Sequence, residues 1–84
     1  SRQQALEDLV DDVDAVIVVG GKDSANTRRL HERTRMLGTP SGLISGAEEI
    51  TEEMRQYRVI GITAGASTPD WVIDQVAQRL EELS

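Results

Sequence analysis

Asp14-Ala15-Val16-Ile17-Val18-Val19-Gly20-Gly21-Lys22-Asp23-Ser24-Ala25-Asn26-Thr27 decides how the chain is read. Its first half is a continuous, largely β-branched run. A strand covered by helices on both faces looks like this, as strands of parallel sheets do. Its second half is a glycine pair followed by short polar side chains, which turn the chain and open a helix. Strand, turn and helix in that order begin a βαβ unit.

The flanking segments extend the pattern. Upstream, residues 2–12 carry Ala5, Leu6 and Leu9, with Val13 just beyond, on one helical stripe. Downstream, residues 25–37 are helical, with Thr27, Leu30, Thr34 and Leu37 on one face and arginines on the other. Gly38 is a natural stop and Pro40 forbids resumption. Residues 42–44 form a short second strand. Ser45 followed by Glu48 fits a capping box, so a helix over residues 47–55 is expected, with Ile50 and Met54 inward. Residues 58–63 form a third strand, which Gly65 breaks. Pro69 suits the first position of a last helix, with Thr68 as its cap and Val72, Val76, Leu80 and Leu83 as its inner face.

The order α-β-α-β-α-β-α predicts an α/β fold: a three-layer parallel sheet with right-handed crossovers. Residues 1–84 read as a single domain, without repeat, low-complexity stretch or linker. The opening helix has no strand before it, and three strands are few for an independent sheet. The expectation is therefore a segment of a longer enzyme that lacks its domain's first strand, with an unpaired sheet edge as the consequence.

Composition removes several function classes. A net charge of −6 argues against an extended nucleic-acid surface, which is basic over its whole face. Arg28, Arg29, Arg33 and Arg35 cluster in one segment and read as solvated helix surface, able to help attract an anion to a neighbouring loop. The chain has no cysteine, which excludes a disulfide or thiolate metal site within it. No apolar run approaches the ~20 residues that span a bilayer. The polar start Ser1-Arg2-Gln3-Gln4 is unlike a signal peptide, so a cytoplasmic location is expected. His31 reads as a solvated surface residue; alone it makes neither a triad nor a metal site. Trp71 is expected to cover the sheet edge or to meet another domain.

In a parallel sheet the strands' C-terminal ends, and the helix starts that follow, gather on one edge. Two special loops must lie there. The first, residues 20–26, combines a glycine pair with Lys22, Asp23, Ser24 and Asn26 at a helix start, a set suited to phosphate or carboxylate. It is neither a Walker loop nor G-x-G-x-x-G. One of Asp23, Ser24 and Asn26 is also expected simply to cap the helix. The second loop, Thr63-Ala64-Gly65-Ala66-Ser67-Thr68-Pro69, frees the Ser67 hydroxyl for a ligand if Thr68 is the cap. A tight turn with incidental hydroxyls is the plainer alternative.

The two loops together carry a resemblance. Arg2-Gln3, then Val18-Val19-Gly20-Gly21-Lys22-Asp23-Ser24-Ala25-Asn26-Thr27-Arg28-Arg29-Leu30, then Gly61-Ile62-Thr63-Ala64-Gly65-Ala66-Ser67-Thr68-Pro69, is similar to the C-terminal part of the 4-hydroxy-3-methylbut-2-enyl diphosphate reductases, the LytB proteins. The resemblance implies the last step of the non-mevalonate isoprenoid pathway. In it, a two-electron reduction removes the substrate hydroxyl and yields isopentenyl and dimethylallyl diphosphates. It implies a 4Fe-4S cluster held by three cysteines, three α/β domains around it, electrons from ferredoxin or flavodoxin, and a proton-delivering glutamate elsewhere in the parent chain. By position Ser24, Asn26 and Ser67 match diphosphate-binding residues. Ala25 stands where the family usually has a second serine and keeps only its backbone N–H for the ligand. The family's third cluster cysteine falls before Arg2, so this chain by itself is expected to be inactive and to bind diphosphate very weakly. Two other expectations compete: a free-standing module for a phosphorylated metabolite, and a structural or interaction domain.

Overall fold

The β-branched run forms the middle of the sheet. In the computed structural model, which describes residues 11–83, strand β1 (Ala15–Val19) lies between β2 (Ser41–Ile44) and β3 (Ile60–Ala64), and both pairings are parallel. All five β1 residues are buried, as a central strand with two covered faces requires. Helix α1 (Ala25–Met36) connects β1 to β2. Two 3-10 turns, Ala47–Glu49 and Glu52–Gln56, lead from β2 to β3, and helix α2 (Asp70–Leu83) follows β3. This is the expected α/β parallel architecture. Of the helix expected over residues 2–12, only Asp11 and Asp12 fall among the described residues, and both are helical.

The core lies mainly on one face of the sheet. Ile17, Val19, Ile44, Ile50 and Val76 form its buried centre, with Met54, Ile62, Val72, Leu80 and Leu83 packed around them. Strand alternation turns Val16 and Val18 to the opposite face. That face is left to α1, whose buried residues, Thr27 and Thr34, stand outside the first cluster. Thr34 satisfies its hydroxyl within the helix, donating to the Leu30 carbonyl at 2.9 Å. The helix ends on Leu37, and Gly38 takes a φ of 84°, a left-handed stop that a side chain disfavours.

The register is pinned at both ends. At the N-terminal edge the Val59 N–H donates to the Asp14 carboxylate at 3.0 Å, and the Asp14 N–H donates to the Val59 carbonyl at 2.8 Å. At the other edge Val19 stands level with Ile44 and with Ala64. The three strands therefore end side by side, and residues 20, 45 and 65 leave the sheet in one row.

Three local expectations are corrected. The 47–55 helix is replaced by the two 3-10 turns, with Gly46 rather than Ser45 at the first cap and no side-chain cap bond. Glu48 does not reach back to Ser45; Glu49 does, accepting the Ser45 N–H at 2.6 Å. The Thr51 that separates the turns is extended, which prevents one continuous helix. Of the two places expected for Trp71, the sheet edge is not the one it takes: it is 62% exposed on α2, which leaves its face open to another domain. Leu37, placed on the inner face of its helix, is exposed because it already lies beyond the last helical turn. The expected inner residues Ile50 and Met54, and Val72, Val76, Leu80 and Leu83, all join the core.

Val76 is the one fully buried residue of α2 and sits against the central strand's cluster. Val76→Ala removes two methyl groups and leaves a void, so it should lower unfolding stability by about 1.5–3 kcal/mol in a urea titration. Trp71→Ala, on the exposed face, should change it by less than about 0.5 kcal/mol.

Candidate anion-binding site

The site is built on the strand ends. Gly20 follows β1 and donates its N–H to the Ile44 carbonyl at 2.9 Å. Gly65 follows β3 and donates its N–H to the Val19 carbonyl at 3.1 Å, and the Thr68 hydroxyl donates to the same carbonyl at 3.1 Å. Both special loops are thus tied to the last residue of the central strand or to its neighbour in β2.

Thr27 joins the two loops. It is fully buried in the first turn of α1. A Cβ built on Gly20 would lie 2.6 Å from the Thr27 Oγ1, and one built on Gly65 would lie 2.5 Å from the same atom. Neither distance is tolerable for a real side chain, so both glycines are required by close approach. Reading the sequence did not single out Thr27 as part of the site. The available signal was weaker: Gly20 and Gly65 each follow a strand, and each needs a reason to lack a side chain. The Thr27 hydroxyl is buried and has no hydrogen-bond partner among the described residues. A lone buried hydroxyl costs about 1–3 kcal/mol, so its place in the fold is set by fit between the loops.

Ser24 is the N-cap of α1, and its Oγ accepts the Thr27 N–H at 3.3 Å. Among the three capping candidates it is the one that caps. A hydroxyl that accepts one bond still has its proton to donate, so capping does not consume the group. Ala25 and Asn26 are the first two helical residues, both exposed. Helix geometry leaves their N–H groups without intrahelical acceptors, at the positive end of the helix dipole. In the second loop the Thr68 N–H donates to the Gly65 carbonyl at 3.0 Å, closing a turn with Ala66 and Ser67 exposed at its tip. The Thr68 hydroxyl serves Val19, and the helix proper begins at Asp70, one residue after Pro69.

Lys22 stands differently from its sequence reading as part of an anion-ready set. Its ammonium lies 2.5 Å from Glu49 Oε1. The pairing with Lys22 and the Ser45 N–H hold the Glu49 carboxyl below its ordinary value of 4.5. His31 is half-buried rather than solvated, and its Nε2 is buried without a partner among the described residues. Those residues contain no grouping of three or more His, Cys, Asp or Glu side chains suited to a metal, and no described helix is long and apolar enough to cross a membrane.

One edge of a parallel sheet thus carries a helix start with open N–H groups, a capping serine and a small-residue turn. The class is a parallel α/β unit, in which helix starts at the strand ends are suited to phosphate or carboxylate groups. The chain belongs to the LytB protein family, whose description matches residues 1–81. It is similar to the 4-hydroxy-3-methylbut-2-enyl diphosphate reductase of Treponema denticola, 52% identical over 96% of this chain and 28% of that protein. The Aquifex aeolicus enzyme of the same name is 45% identical over 98% of the chain and 29% of its own length. Among solved structures it resembles an (E)-4-hydroxy-3-methyl-but-2-enyl diphosphate reductase, the terminal enzyme of the non-mevalonate pathway. That match has a TM-score of 0.90 and 45% identity, and covers 96% of this chain and 29% of that one. The related reductase from Plasmodium falciparum matches with a TM-score of 0.85 and 26% identity, over 92% of this chain and 24% of that one. The chain spans less than a third of the length of these relatives.

Two outcomes follow from this geometry. Gly65→Ala should destabilise the fold by about 1–3 kcal/mol through overpacking against Thr27. The double variant Gly65→Ala with Thr27→Ala should lose less than the sum of the singles, which a double-mutant cycle in urea reads directly. Separately, Glu49 contributes its pairing to stability above its ordinary 4.5, and that contribution disappears as the pH falls through the lowered folded value. A carboxyl-carbon NMR titration should place the Glu49 midpoint below 4.5 and show it rising in Lys22→Ala.

Proposed function

We propose that this chain is the diphosphate-gripping segment of a 4-hydroxy-3-methylbut-2-enyl diphosphate reductase. The observation that carries the reading is the convergence of the two loops on Thr27, which brings the start of α1 and the Ser67 turn to one edge. On this reading the Ser24 hydroxyl, the N–H groups of Ala25 and Asn26, the Asn26 amide and the Ser67 hydroxyl donate to the substrate's diphosphate oxygens. Such donors suit a polyanion because each is a neutral dipole, fixed by the fold before the ligand arrives. The names of the relatives support the choice of ligand, and the match over nearly the whole chain supports the choice of enzyme.

The chain does not fit the role of cluster holder. An iron–sulfur cluster takes thiolate ligands, and this sequence has no cysteine. The 4Fe-4S cluster of the parent enzyme therefore takes its ligands from other parts of that protein. This segment's work is to bind and orient. The same reading carries a cytoplasmic enzyme fed by ferredoxin or flavodoxin; both rest on the family resemblance alone.

Ser67→Ala in the intact reductase should raise KM for 4-hydroxy-3-methylbut-2-enyl diphosphate about tenfold or more and leave kcat within about twofold, the pattern of lost uniform binding. Ser24→Ala should do the same and also lower stability by about 1 kcal/mol, because it removes the helix cap. Unchanged KM in both variants would falsify the assignment. Ala25→Ser adds a donor hydroxyl beside the ligand, and the same assay should return a lower KM.

A further inference from the structure

The outer limb of the first loop has few internal supports. Gly21, Lys22 and Asp23 are all exposed, and the limb's own backbone bond is a single turn contact, the Ser24 N–H donating to the Gly21 carbonyl at 3.0 Å. A Cβ at Gly21 would meet nothing within 4 Å. Such a segment has few contacts of its own to fix its shape, yet its C-terminal end is the capping Ser24.

Glu49 spans this gap. One carboxylate oxygen lies 2.5 Å from the Lys22 ammonium, and the other accepts the Ser45 N–H at 2.6 Å. Glu49 itself sits on a firm base. Its N–H donates to the Gly46 carbonyl at 3.1 Å, and its neighbour Ile50 is buried in the core. The carboxylate therefore links the end of β2 and a core-anchored turn to the middle of an otherwise open loop.

We propose that Glu49 is a positioning residue for the anion site: through Lys22 it holds the 20–26 loop in the shape that presents Ser24, Ala25 and Asn26 to the ligand. The inference rests on the reading of those residues as diphosphate donors. The pair is solvent-accessible, with side-chain exposures of 57% and 28%. Exposed pairs contribute little to global stability, so the effect belongs to the loop and not to the fold. Preorganising a loop improves affinity by removing an ordering cost at the moment of binding.

The opposing assignment makes Lys22 itself a direct ligand of the anion, with Glu49 as its competitor. The two predict opposite signs. If Glu49 positions the loop, Glu49→Gln in the intact reductase raises KM for 4-hydroxy-3-methylbut-2-enyl diphosphate about three- to fivefold, with kcat within about twofold. Lys22→Met does the same, and the double variant is no worse than either single, because both break one contact. The melting temperatures stay close to that of the parent. A lowered or unchanged KM in Glu49→Gln, or effects that add in the double variant, overturns the proposal. Ser67→Ala in the same assay separates the two levels: a raised KM there with none in Glu49→Gln sinks the positioning role alone. An unchanged KM in both Ser67→Ala and Ser24→Ala removes the diphosphate site, and the positioning role with it.

Discussion

The insertion of Thr27 between Gly20 and Gly65 is the constraint on which the working edge depends. One buried side chain from the first turn of α1 meets the backbone of both loops at once. Interiors are packed as densely as organic crystals, so a contact of this kind tolerates little adjustment. It sets how closely the start of α1 approaches the turn after β3. Each of the three residues explains the others. Threonine is short enough to enter, and its Oγ1 faces both glycines at once. Each glycine presents bare backbone where a methyl group would collide.

The central strand makes that insertion possible. Its five buried residues fix β1 between two parallel neighbours, with the three strands ending level. The Val19 carbonyl then accepts from both the Gly65 N–H and the Thr68 hydroxyl. A single backbone oxygen at the end of β1 thereby fixes the path of the second loop, while the Ile44 carbonyl fixes the start of the first. The buried apolar strand positions the two exposed loops, and the loops need little structure of their own. The outer limb around Lys22 is the exception, and its support comes from a side chain on the β2 side.

Much of this was legible in the sequence because it is encoded by short-range pattern. The Ala15–Val19 run, the stops at Gly38 and Pro40, and the inward stripe of Val72, Val76, Leu80 and Leu83 each follow from local periodicity and backbone chemistry. The 47–55 segment departs from its helical pattern for a physical reason. Its apolar residues, Ile50 and Met54, have helical spacing, but they make a single i, i+4 pair and the extended Thr51 lies between. Two isolated turns bury the same pair. The exchange of Glu48 for Glu49 follows: a capping box presumes an α-helical start, and a 3-10 turn rotates the side chains to different places. Ser24, Ala25, Asn26 and Ser67 were legible as residues near strand ends. Thr27 was not, because it appears in sequence only as another inward-facing helical residue. Its role depends on two glycines 45 residues apart in the chain, and that coincidence exists only once β1 and β3 are adjacent.

The charge balance sharpens what kind of grip this edge provides. The chain carries −6 overall, and the one lysine of the first loop is paired with a carboxylate. A site that relied on bare cations for a diphosphate would be poorly served by such a surface. Oriented N–H and hydroxyl dipoles are a different solution, since they carry no net charge and do not need a counterion when empty. They also discriminate by geometry, because a dipole stabilises an anion only when aimed at it. On the proposed reading such a grip must be held rigidly: the buried β1 strand and the Thr27 insertion supply that behind the loops, and the proposed Glu49 link would extend it to the outer limb. If the edge binds the proposed diphosphate, the segment's stability and its affinity share a source, and the packing behind the loops serves the proposed site as much as the hydroxyls in front of it.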